Sequence, residues 1–81
     1  EIIIVNDNEF QKLNRNHFNN IKNIDNLNII NNDKNVGYSA ACNIGSSNSN
    51  GEYLIFIDSD IIVDSMWLKN TLILAQYLQK Y

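Results

Sequence analysis

The stretch "YLIFIDSD" (53–60) runs an apolar segment straight into two carboxylates, Asp58 and Asp60. Leaving an unpartnered carboxylate inside a protein costs about 3 kcal/mol or more, so acids at the end of a buried strand call for a partner. Side chains alternate along a strand, so Asp58 and Asp60 are expected to project alike, with Ser59 opposite. Two carboxylates held together raise each other's proton affinity unless a cation lies between them. Hard oxygen donors suit Mg²⁺ or Mn²⁺ and leave coordination positions for water and phosphate oxygens. A cation held there would bridge a diphosphate and neutralise charge on a departing phosphate. The bland alternative is a strand end carrying two solvated acids, since Asp-x-Asp alone is a common pattern.

The remaining polar residues gather into clusters that the elements must bring together. "EIIIV" (1–5) is a continuous β-branched run, as expected of a parallel strand covered on both faces, and it ends at "NDNE". From Glu9 to Ile24, Phe10, Leu13, His17 or Phe18, and Ile21 recur at helical spacing and predict an amphipathic helix. "LNII" (27–30) is a second strand, closed by "NNDKN". Ser39 to Ser47, rich in Ala and Ser, predicts a short helix, and 52–57 a third strand. The last helix is capped by Asp64 or Ser65 and carries Leu68, Leu72, Ala75 and Leu78 as its apolar stripe. His17 is expected on a helix surface and Trp67 in packing.

The order β-α-β-α-β-α predicts a Rossmann-like three-layer half-domain, α/β in class, with a mainly parallel sheet and right-handed crossovers. Ligands of such sheets bind beyond the carboxyl ends of the strands, which brings "NDN", "NNDKNVG" and "DSD" to one edge.

Composition narrows the function classes. Six basic against nine acidic residues give a net charge of −3, which is no footprint for nucleic acid or an anionic membrane. Sixteen of the 81 residues are Asn, dispersed among Ile and Leu rather than massed in a prion-like tract. A single cysteine, Cys42, permits no intrachain disulfide and reads as a small packed residue in a reducing compartment. No apolar run approaches the ~20 residues of a membrane span. The expected location is cytoplasmic, with the inner face of the membrane open to a longer protein.

Three stretches together, "EIIIVND" (1–7), "NVGYSAACNIG" (35–45) and "GEYLIFIDSD" (51–60), resemble the nucleotide-sugar-binding half of family-2-type glycosyltransferases of the GT-A fold. The resemblance spans nearly the whole chain, and three linked motifs are far more specific than one. It implies that residues 1–81 are a partial nucleotide-sugar-binding GT-A domain. Asp7 would contact the nucleoside, with Asn6 standing where an acid is common. Asn35 and Gly37 would line the nucleotide loop, and Asn43 would help organise the pocket. Asp58 would sit near the ribose or metal, and Asp60 would be the principal ligand of Mn²⁺ or Mg²⁺. The implied partners are a nucleoside diphosphate sugar and a hydroxyl acceptor, glycan or lipid-linked.

Two parts of the family pattern have no match in this sequence: a further apolar strand, lying between those at 1–5 and 52–57, and the acceptor half with its acidic general base. The expectation is therefore a donor-binding segment, inactive by itself, whose unpaired strand edges invite self-association. The alternative is a non-catalytic nucleotide-binding or assembly module of the same fold. A phosphatase reading, with Asp58 as nucleophile, lacks the further downstream motifs it needs, and a calcium-binding EF-hand loop lacks its Gly and Glu.

Overall fold

The β-branched run at the start of the chain folds as expected. Ile2–Asn6 forms strand β1 and Leu27–Asn31 forms strand β2, because stiff branched side chains fit a pleated sheet. The computed structural model describes residues 1–21 and 25–79. Among these the sheet has two strands, paired in parallel with Ile2 opposite Leu27 and Asn6 opposite Asn31. Helix α1, Tyr38–Ser47, packs on β1, and helix α2, Trp67–Gln79, makes no comparable contact with the sheet. This is a small α/β arrangement, compatible with a Rossmann-like half-domain but without its full β-α-β-α-β-α order.

The close approach of α1 depends on its small residues. A Cβ at Gly45 would stand 3.2 Å from Val5 Cγ2, so the helix rests almost directly on the strand. Leu27 is the one buried apolar side chain among the described residues. The core is therefore thin, and the elements are held as much by polar side chains as by apolar burial.

Two expected elements take other forms. Over 9–24, the part within the described residues is a chain of turns with a single 3₁₀ turn at Arg15–Phe18; residues 22–24 lie outside them. Asparagine explains the difference, because its side chain offers the backbone an alternative to helical bonding. Asn6 Oδ1 accepts from the Asn8 N–H, Asn8 Oδ1 from Phe10 and Asn14 Oδ1 from Asn16. In a continuous helix the Asn16 N–H would bond to the Lys12 carbonyl; Asn14 takes it instead and caps a separate 3₁₀ turn. Phe10, read as part of an apolar stripe, is consequently 91% exposed. His17 lies on the surface, and its Nδ1 accepts from the Asn14 N–H.

The second correction concerns 52–57, which is not a strand. It does not join the β1–β2 ladder, and Leu54 to Ile57 are exposed. A strand exists only through a partner's hydrogen bonds, and β1 gives its ladder to β2 alone.

Candidate functional site

A cleft of about 1120 Å³ opens between β1, α1 and the 51–60 segment. Asp7, Asn35, Gly37, Asp58 and Asp60 all line it. Residues from three distant parts of the sequence thus meet in one concavity, as the polar clusters predict. Asn43 is different: it sits on the exposed side of α1 and is not among the lining residues.

Asp7 stands just beyond the end of β1 and is tied to the loop that follows β2. Its Oδ1 accepts from the buried Asn32 amide (Nδ2, 2.9 Å) and from the Val36 N–H at 2.8 Å. Its Oδ2 accepts from the Gly37 N–H at 2.9 Å. These donors, the Val36 N–H first and then the Asn32 amide, hold the Asp7 carboxyl below its ordinary 3.8. Gly37 takes φ 88° and ψ 168°, a backbone region essentially reserved for glycine, and it opens α1 without any side-chain cap of its own.

A second polar knot lies behind Asp7. Asn6 and Asn31 face each other in the strand register, and Asn6 Nδ2 donates to Asn31 Oδ1 (2.9 Å) and to the Gln11 carbonyl (2.6 Å). Asn31 in turn holds Leu13 on both sides, accepting from its N–H and donating to its carbonyl at 2.9 Å each. This arrangement needs a donor at position 6, which an acid would not supply at neutral pH. Asn6 is therefore a structural asparagine of the strand end.

Asp58 and Asp60 occupy a turn closed by the Ile61 N–H donating to the Asp58 carbonyl at 3.2 Å. Strand alternation therefore does not set their relative orientation, which corrects the expectation that both project alike from a strand. Both are exposed at the cleft, so the desolvation cost expected at the end of a buried strand does not arise. Among the described residues neither lysine nor arginine lines the cleft, while Glu1 and Asp7 add to its negative charge. Among the described residues, no three acidic, histidine or cysteine side chains gather into a ready-made metal cage. Two exposed hard oxygen donors fit a cation that completes its shell with water and phosphate.

Two residues join the site that the motifs did not single out. Tyr38, the first residue of α1, lines the cleft; the Cys42 thiol one turn along and then the Asp58 carboxylate push its phenol up from 10.0. Asn32 is buried at 9% exposure and anchors Asp7. The signal for Asn32 was its place directly after an apolar strand, where a polar side chain must find a partner. Asp64, expected as a helix cap, closes the turn just ahead of α2: its Oδ1 accepts from the Met66 N–H and its carbonyl from the Trp67 N–H. No helix among the described residues is long and apolar enough to cross a membrane.

The family model described as glycosyl transferase family 2 matches residues 1–80. The chain belongs to this family. No curated protein and no solved structure matches it.

Proposed function

We propose that the chain forms the donor-binding part of a glycosyltransferase that moves a sugar from a nucleoside diphosphate sugar to an acceptor hydroxyl. The observation carrying this reading is the convergence of Asp7, Asn35, Gly37, Asp58 and Asp60 on one cleft. Family membership supports the transferase class, and the donor set supports the metal.

In this reading Asp60 is the principal ligand of Mn²⁺ or Mg²⁺ and Asp58 the second, near the ribose. The cation, when bound, supplies positive charge to the diphosphate. The 35–37 backbone walls the nucleotide, and the absence of a side chain at Gly37 lets a ligand approach closely. Asn43 would organise the pocket only through α1, given its exposed position.

Calorimetry tests the assignment. UDP is expected to bind in the presence of Mn²⁺, to lose affinity on chelation, and to fail to bind Asp60→Ala. Equal binding by the variant removes Asp60 from its role, and metal-independent binding removes the cation.

A further inference from the structure

Asp7 has far more to hold than a nucleoside. Its carboxylate accepts three hydrogen bonds, from Asn32 Nδ2, the Val36 N–H and the Gly37 N–H, all within 2.9 Å. These donors lie 25 to 30 residues away in sequence. An ionised carboxylate has about four acceptor sites, so three bonds leave it little capacity for a ligand. Gly37 is also the start of α1, which carries no side-chain cap. An anion on that N–H compensates the positive end of the helix.

We propose that Asp7 is a positioning residue: its carboxylate clamps Asn32, Val36 and Gly37 to the tip of β1 and presets the 35–37 wall of the cleft for a nucleotide, whatever base that nucleotide carries. The nucleotide part rests on the function proposed above; the clamp itself rests on the hydrogen bonds alone. The depressed proton affinity of Asp7 agrees with it, since every bond it accepts favours the ionised form. Replacement by Asn keeps the shape but removes the charge and turns an NH₂ toward at least one N–H donor.

Amide NMR of the ¹⁵N-labelled 81-residue chain provides the first arm. As pH falls, the Val36 and Gly37 amide protons are expected to shift together with a midpoint below 3.8, and this shift is expected to vanish in Asp7→Asn. In the variant at neutral pH those two amides are expected to exchange with D₂O roughly tenfold or more faster, while Ile4 and Ile29 in the ladder are unchanged. Should the variant fail to fold, the titration of the parent chain decides. Amides that ignore both pH and the substitution overturn the clamp.

The second arm measures UDP, GDP and ADP binding with Mn²⁺. Every nucleotide that the parent chain binds is expected to lose the same factor, about tenfold, in Asp7→Asn. A loss confined to one base makes Asp7 a base contact and overturns its role as a base-independent positioner. If the parent chain binds none of the three, the proposed function fails, and the amide arm alone judges the clamp.

Discussion

At position 6 the hydrogen bonds show what an asparagine provides. Its Nδ2 donates to Asn31 and to the Gln11 carbonyl, joining the strand ends to the turn below them. Asn6→Asp would place a carboxylate against two acceptors at neutral pH. The expected result is a loss of about 1–3 kcal/mol in chemical denaturation, the cost of leaving such groups unmatched. At a pH low enough to protonate the new acid the deficit should shrink, because a carboxyl can donate once. Asp7 has the opposite dependence on protons. Its folded-state proton affinity is depressed, so its contribution to stability is complete above 3.8 and fades as pH falls through the lower folded value. Denaturation midpoints between neutral and strongly acidic pH should show this fall in the parent chain, and Asp7→Asn should lack that component. The meeting of the polar clusters was legible from the rule that ligands sit beyond strand ends, since Asp7, Asn35, Gly37, Asp58 and Asp60 do line one cleft, with Asn43 outside it. Their partners were not, because a hydrogen bond from Asn32 to Asp7 spans 25 residues and leaves no periodic trace.

Elements were legible where one local force dominated. The strands at 2–6 and 27–31 follow from β-branched runs, and the helix at 38–47 from small helix-tolerant residues ahead of a polar loop. The segment 9–21 misleads because its apolar spacing is helical while its asparagines bond their own backbone, and the local bonds prevail. The 52–57 segment misleads differently, since composition reports the preference for a strand but says nothing of a partner. The two glycines of the α1 region make separable predictions. Gly37→Ala meets no atom within 4 Å, yet its backbone conformation is strained for any side chain. A loss of about 1–3 kcal/mol is expected from that alone, read as a lower denaturation midpoint. Gly45→Ala faces a tight contact with Val5 Cγ2, but Val5 borders the open cleft and has room to yield. With helix propensity improved by up to about 1 kcal/mol, this variant is expected to be neutral or slightly more stable. A marked loss would show that Val5 is held rigidly.

At the scale of the molecule, dimensions carry the argument. The Cα radius of gyration is 14.3 Å, where a compact chain of this length would have roughly 11.7 Å. The accessible surface is 6874 Å² for a mass of 9.3 kDa, against roughly 5000 Å² for a typical folded monomer. The surplus, nearly 2000 Å², is comparable to the whole area buried in a stable protein–protein interface. Large apolar side chains are exposed along 54–63, where Phe56 is 57% and Ile62 98% exposed, and again along α2 at Leu68, Ile73, Leu74 and Leu78. Contiguous exposed apolar surface favours association, and among the described residues the edge of β1 away from β2 also lacks a ladder partner. The 81-residue chain is therefore expected to self-associate. Sedimentation at increasing concentration should give an average mass rising above 9.3 kDa. Charged substitutions on the same apolar segment, Phe56→Lys with Ile62→Lys, should return it toward the monomer. Neither residue takes part in the β1–β2 pairing, so the β1–β2 amides should retain their protection in the variant. A parent chain that stays monomeric across that range would show that the 54–63 surface folds back on the sheet in solution, and the cleft would then have to be smaller than the one described.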